Sequence, residues 1–397
     1  MRMNDLFTRA EKVLMNNVRR YPAVFTRAEG SRVYDAAGRE YIDFLSGIAV
    51  QAVGHSHPRI TAAIRQQAEK IIHVSNLYYL EEQIDLAEKL VALSGLDRVF
   101  FCNSGAEANE AAIKLARKYG RHQLGGKYEI VSAIHSFHGR TLGALAATGQ
   151  PKYQENFAPM PAGFRYAPFN DLAAWEAAVS DHTCALLLEP VQGEGGVHPV
   201  SREFLEGIAA LCRKHRLLLI LDEVQTGLGR TGKYFAWEHF GIKPDILTTA
   251  KALGAGVPLG ALLATEKVAS VLAPGDHSTT VGGGGIAFAA GLEVLRLLEE
   301  ENLPARAARL GAELKTLFQS WQQELPVIKA VRGWGLMLAL ELTVPAGPVA
   351  QQCFENGLLI NAVSPTALRL LPALNIEHKD LEVGLSILKA VLKEFEK

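Results

Sequence analysis

Between about Pro58 and Leu292 the chain alternates short apolar runs with amphipathic stretches, the rhythm of βαβ units. Residues 98–102, 129–133, 184–188 and 217–221 read as strands. The last of these is an unbroken run of Leu and Ile, preceded by Phe204, Ile208, Leu211 and Cys212 at helical spacing. It is therefore expected to be a parallel strand covered on both faces. Asp222 follows at its carboxyl end, where open α/β sheets bind ligands. Outside this stretch the pattern changes: 33–41 reads as a hairpin, 328–342 and 358–371 as strands, and 291–323 and 378–396 as helices. The expectation is an α/β chain with a large domain over 58–292 around a mostly parallel sheet. Both ends, 1–57 and 293–397, would form one smaller α/β domain.

The strand ends carry the candidate chemistry. Lys251 closes Thr248-Thr249-Ala250-Lys251, shortly after Asp222. An amine that holds an aldehyde cofactor as a Schiff base, and a buried carboxylate that keeps its ring nitrogen protonated, are what pyridoxal 5'-phosphate needs. A capping aspartate and a surface lysine would look the same in isolation, and the neighbouring motifs favour the site. Ser104 and Glu107 have capping-box spacing at the start of a helix whose last turn is expected to hold Arg117 and Lys118 before Gly120, so the amides of Gly105 and Ala106 form an anion site suited to a phosphate. Past another strand, Phe137 could stack on a pyridine ring and Arg140 could clamp a carboxylate; a core phenylalanine and a surface ion pair are the plainer reading. Glu189 and Glu194 lie among glycines after the 184–188 run, placed to hold an arginine or merely to cap the loop. Thr279, Thr280 and the glycines 282–285 could bind phosphate but lack the Gly-Lys-Ser/Thr ending of a P-loop. Arg369 sits in an apolar strand, where an arginine meets either solvent or an anion.

Composition narrows the class. With 397 residues, a net charge of −1 and no long run of like charge, nothing suggests nucleic acid or an anionic membrane as partner. No apolar stretch approaches the roughly 18 residues of a membrane span, and the charged N-terminus lacks a secretory h-region. Cys102, Cys184, Cys212 and Cys353 show no paired spacing, which suits reduced thiols in the cytoplasm and implies neither disulfides nor zinc.

Taken in order, these motifs resemble the class III, or ω-amino-acid, aminotransferases of the type I pyridoxal phosphate fold, over nearly the whole chain. The likeness rests on Ser46-Gly47-Ile48-Ala49-Val50, Gly54-His55-Ser56-His57-Pro58, Asn103-Ser104-Gly105-Ala106-Glu107, Phe137-His138-Gly139-Arg140-Thr141, Asp222-Glu223-Val224-Gln225-Thr226-Gly227, Thr248-Thr249-Ala250-Lys251 and Val331-Arg332-Gly333-Trp334-Gly335. The resemblance implies Lys251 as the cofactor-bearing lysine and proton shuttle, Asp222 under the pyridine nitrogen, Val224 and Phe137 on its two faces, and Gln225 at the phenolic oxygen. It also puts Glu223 in the cofactor site, and it gives the phosphate to Gly105, Ala106 and a neighbouring subunit's Thr280, hence a homodimer with shared active sites. Arg140 and Thr279 match substrate-contacting positions, Arg369 the arginine for a substrate α-carboxylate, and Glu194 the acid that screens it. The implied reaction moves the δ-amino group of N2-acetylornithine to 2-oxoglutarate, giving N-acetylglutamate 5-semialdehyde and glutamate in arginine biosynthesis. Succinylornithine or ornithine as substrate, an aminomutase, and a non-catalytic cofactor-binding protein are the alternatives. Three positions depart from the pattern: Gly284-Gly285 for Asn-Pro, Val281 for an aromatic, and Ala106 for a frequent Thr.

Overall fold

A computed structural model describes residues 3–396. Its centre is a seven-stranded sheet of β1 (Arg98–Cys102), β2 (Glu129–Ala133), β3 (Phe164–Ala167), β4 (Thr183–Leu188), β5 (Leu218–Asp222), β6 (Ile246–Thr249) and β7 (Gly260–Ala264), in the order β1-β7-β6-β5-β4-β2-β3. Neighbours from β6 to β3 run parallel, and β7 runs antiparallel to both β6 and β1. The expected strands are all present, but β5 lies one residue further on than the apolar run. Leu217 is held by the carbonyl of Cys212 at the preceding helix end, so Asp222 is the last residue of the strand rather than the first after it.

Strand alternation decides what Asp222 faces. Leu218 and Ile220 pack into a cluster with Ala112, Leu115, Ala116 and Tyr119 of helix Gly105–Gln123, whereas Leu219 and Leu221 pack with Phe204, Ile208, Leu211 and Cys212 of helix Arg202–His215. Each buried Leu or Ile contributes about 1.5–3 kcal/mol, an upper bound on the extended-chain reference. Asp222 has the parity of Leu218 and Ile220 and so points toward helix Gly105–Gln123. That helix runs past Gly120, which is no terminator. A Cβ there would lie 2.3 Å from the carbonyl oxygen of Lys127 and 2.7 Å from Cys184 Cβ, so glycine is needed for close helix–sheet packing.

The two ends of the chain interleave. The expected 33–41 hairpin is the antiparallel pair Arg32–Asp35 and Glu40–Asp43, extended by Phe25–Glu29 on one side and by Leu358–Leu359, parallel, on the other. Ile328–Trp334, Met337–Leu342, Ala367–Leu370 and Asn361–Ala362 form a further four-stranded sheet, so the 358–371 run is broken into three short strands shared between two sheets. The 291–323 segment is two helices, Gly284–Glu300 and Leu303–Glu324, separated at Asn302 with φ 47° and restarted by Pro304. Residue 292 falls inside the first, which packs on helices Pro58–Lys70 and Glu81–Ser94.

Candidate active site

Parallel register brings the two leading candidates together. Asp222 pairs with Thr248 on β6, and Lys251 comes three residues later, past the strand end. Lys251 has φ 47°, a left-handed backbone that costs a non-glycine residue about 1–3 kcal/mol and persists where surrounding contacts enforce it. Both residues line one cavity of about 460 Å³ with Gly105, Ala106, Asn109, Phe137, His138, Arg140, Glu189, Val224 and Gln225. Burial is the main cause that pulls the Lys251 ammonium from 10.5 to about 8, with Glu194 opposing it.

Asp222 is held on both oxygens. Its Oδ2 meets His138 Nδ1 at 2.8 Å and accepts from Asn109 Nδ2 at 2.7 Å, and its Oδ1 accepts from the Val224 amide at 3.0 Å. Thr248 Oγ1 donates to Asn109 Oδ1 at 2.8 Å, completing a network on the β5–β6 seam. Sequence reasoning gave roles to none of His138, Asn109 and Thr248. Asn109 had a legible signal: a polar residue among Ala108, Ala111 and Ala112 on the buried face of a helix, one turn past the expected phosphate amides. Glu189, just past β4, is buried; its oxygens accept from the amides of Phe137 at 3.0 Å and Gly193 at 3.2 Å. Burial first, and then the charge of Asp222, push its carboxyl well above the usual range.

The helix start is built as expected, with one difference. Ser104 Oγ accepts from the Glu107 amide at 3.2 Å, but Glu107 Oε2 returns to the Asn103 amide at 2.6 Å, one residue before the cap. Gly105 and Ala106, the first two helical residues, line the cavity, and their amides have no helical carbonyl one turn back. A Cβ on Gly105 would lie 2.8 Å from Val224 Cγ1, so glycine keeps the valine against the site.

A second group lies behind Gln225. Arg369 has no exposed surface; its Nη1 donates to Glu194 Oε1 at 2.5 Å and Gln225 Oε1 at 3.0 Å, and its Nε to Asn361 Oδ1 at 3.3 Å. Its Nη2 is buried without a hydrogen-bond partner among the described residues. Burial alone would raise the Glu194 carboxyl, but the Arg369 guanidinium outweighs it and brings it below the usual range. Gln225 Nε2 also donates to Glu194, at 3.2 Å, so this side chain is engaged by the ion pair while still lining the cavity. Arg140 is exposed at the mouth, its guanidinium 3.9 Å from the Tyr153 ring centroid and 5.3 Å from that of Phe137.

Three further residues named from the sequence do not line this cavity. Glu223 does not line this cavity. It continues the strand alternation away from Asp222, and its carboxylate accepts from Thr226 Oγ1 at 2.6 Å and from the amides of Ala236 and Trp237 at 2.8 and 2.9 Å. Burial raises this carboxyl to about 7. Thr279 is held outside the cavity by Asn103 Nδ2, 3.2 Å from its Oγ1, and Thr280 is exposed and lines no part of this chain's own pocket.

The family model for class III aminotransferases matches residues 13–392. The chain belongs to that family. This class III aminotransferase is 48% identical over 379 residues to the acetylornithine aminotransferase of Methanocaldococcus jannaschii, covering 95% of each. Its fold is the type I pyridoxal phosphate fold of its solved neighbours. One is N-acetylornithine aminotransferase from Stenotrophomonas maltophilia, with 38% identity, a TM-score of 0.84, and coverage of 98% of this chain and 99% of that one. Another is the ornithine aminotransferase of Toxoplasma gondii, described with partial occupancy of PLP at its active site, with 33% identity, a TM-score of 0.94, and coverage of 99% and 96%. The cofactor of this aminotransferase is pyridoxal 5'-phosphate, and the residues present fit it: a doubly held carboxylate and a neutralisable lysine share a cavity whose end is an open helix N-terminus.

Proposed function

We propose that the chain moves the δ-amino group of N2-acetylornithine to 2-oxoglutarate, a step toward arginine, with pyridoxal phosphate held by Lys251, Asp222, Val224, Phe137, Gly105 and Ala106. The observation that carries this reading is the buried Arg369, whose Nη1 is on Glu194 while its Nη2 is left without a partner. A pocket for two unlike substrates needs such a group. Acetylornithine has one carboxylate, far from its reacting amine; glutamate has one beside the reacting amine and one distant.

When bound, the cofactor supplies an aldehyde that takes up the amine and a pyridinium ring that draws electrons from the neighbouring carbon. Asp222, fixed by His138 and Asn109, would present its carboxylate to the ring nitrogen. Lys251, with its ammonium lowered to about 8, is partly neutral at physiological pH and serves as the base that takes and returns the proton at the substrate carbon. Arg140 at the mouth takes the distal carboxylate of either substrate. Arg369 takes the proximal carboxylate of glutamate, and Glu194 covers it when acetylornithine is bound, since an unpaired guanidinium facing a methylene chain is costly.

We infer further that the active unit is a homodimer in which Thr280 completes the partner's phosphate site. Thr280 and Val281 are exposed and adjoin a segment with Ile72, Leu77, Tyr78 and Tyr79 also exposed, an apolar surface that a second copy would cover. The four cysteines are free and buried, in keeping with the cytoplasm. Steady-state comparison of acetylornithine, succinylornithine, ornithine and succinyl-diaminopimelate, each with and without 2-oxoglutarate, tests the reading. A preference for acetylornithine that requires 2-oxoglutarate supports it; turnover without 2-oxoglutarate, or a preference for free ornithine, overturns it.

A further inference from the structure

Arg140 is assigned above to the carboxylate that both substrates share, yet it sits at an exposed mouth and makes no hydrogen bond or ion pair among the described residues. A long, free guanidinium has many rotamers, and a carboxylate clamp works well only if most of them are removed before substrate arrives. What removes them here is aromatic. The Arg140 guanidinium carbon lies 3.9 Å from the Tyr153 ring centroid, inside the distance at which the ring's negative face attracts a cation, while Phe137 is further off at 5.3 Å. The ring of Tyr153 stands edge-on to that of Phe137, at 6.2 Å and 83°. One tyrosine thus touches both the expected carboxylate clamp and the ring expected to stack on the cofactor.

The turn that carries Tyr153 is itself fixed, by two glutamine side chains hydrogen-bonded to the backbone of the preceding segment. Tyr153 belongs to the single helical turn Pro151–Gln154, which is bracketed by two glutamines. The Gln150 side chain is buried and donates to the Ser136 carbonyl at 2.9 Å, at the base of the loop that carries Phe137 and Arg140. Gln154 donates to the Thr148 carbonyl at 2.7 Å and the Leu145 carbonyl at 3.0 Å. The Tyr153 amide donates to the Gln150 carbonyl at 3.0 Å. A face held this way against the 135–148 backbone is a rigid platform, and stacking on it leaves the guanidinium's N–H edge free for a carboxylate.

We propose that Tyr153 is the positioning residue for carboxylate recognition: its ring holds Arg140 in the orientation that grips the carboxylate common to both substrates. The proposal rests on the assignment of Arg140 to that carboxylate. The discriminating readout is the ratio of kcat/KM for acetylornithine to kcat/KM for N-acetyl-1,4-diaminobutane, the same amine donor without its carboxylate. Tyr153→Leu should lower this ratio by about 3- to 30-fold, the span of a guanidinium–aromatic contact from exposed to desolvated settings. The loss should appear in KM for acetylornithine and for 2-oxoglutarate, with kcat little changed. Tyr153→Phe keeps the ring and should restore the ratio. Arg140→Ala should lower it at least as far, and adding Tyr153→Leu to Arg140→Ala should lower it no further.

An unchanged ratio in Arg140→Ala would defeat the carboxylate assignment itself. A lowered ratio in Arg140→Ala together with an unchanged one in Tyr153→Leu, or additive losses in the double variant, would defeat the role of Tyr153 alone. If Tyr153→Leu is too unstable to purify, Tyr153→Met removes the ring while keeping bulk and carries the same expectations; a general loss of activity with the ratio intact would again overturn the proposal.

Discussion

Arg369→Ala should split the reaction into a damaged half and a nearly intact one. The guanidinium is buried, and the nitrogen without a hydrogen-bond partner is the one assigned to the α-carboxylate of glutamate. Losing a desolvated charge pair of this kind costs about 2–5 kcal/mol, and a mid-range value of about 3.5 kcal/mol corresponds to a roughly 400-fold fall in the glutamate half-reaction. In the acetylornithine half Arg369 stays on Glu194, so the substrate loses no contact, and a fall of less than about 10-fold is expected from the uncovered acid alone. Stability should drop only modestly, by about 1–2 kcal/mol, because Glu194 has a side chain 27% exposed and can recover water. The pH dependence follows from the lowered Glu194 carboxyl. Its pairing stabilises the fold above the ordinary value of 4.5 and is lost as pH falls through the depressed one, so the melting difference between wild type and variant is full at neutral pH and closes in acid. Rapid-mixing single turnovers with glutamate and with acetylornithine, followed through the cofactor's absorbance, measure the two halves separately. Equal losses in both would refute the covering role of Glu194.

Cofactor uptake by the apoprotein should quicken with pH and level off above about 8, where Lys251 is neutral and able to add to an aldehyde; Lys251→Ala should show neither an imine band nor turnover, and a rate flat from about pH 6 to 10 would contradict the assignment. Gly105→Ala should loosen cofactor retention by about 10-fold, since its Cβ must displace Val224 at a cost of order 1–3 kcal/mol; equilibrium dialysis measures this, and unchanged retention would show that Val224 does not bear on the ring. Mixing Lys251→Ala chains with Thr280→Val chains should regain activity through hybrid dimers having one site with both defects and one with neither, and a fully active monomer by sedimentation would end the shared-site reading.

How far the sequence carried this picture depended on whether a residue's role is set along the chain or across it. Asp222 and Lys251 were legible because buried parallel strands write themselves as apolar runs and ligands gather at their carboxyl ends. The helix cap at Ser104 was legible because capping is a local, fixed-spacing interaction. Glu223 misled, since the motif makes it adjacent to Asp222 while strand alternation turns it to the backbone of 236–237. Gly120 misled in another way: a glycine after basic residues resembles a helix end, but the reason for it is the Lys127 carbonyl and Cys184 on a neighbouring segment. His138 and Asn109 reach Asp222 from 84 and 113 positions away, and although Asn109 stood out as a polar residue on a buried helix face, no spacing rule announces the partner of either.

The interleaving of the chain's ends bears on how the protein comes to be assembled as it is synthesised. The strand Glu40–Asp43 is made early, but its parallel neighbour Leu358–Leu359 leaves the ribosome only after the whole central sheet has been made. Arg39 donates to the Glu355 carbonyl 316 positions later, and Arg32 pairs with Asp380 across an even longer interval. Closing so long a loop is slow, and it gains nothing until both partners exist. Residues 25–43 must therefore wait, with an unpaired strand edge, while the middle of the chain condenses beside them. The order of synthesis is not the order of assembly here, and the last tenth of the chain seals the first.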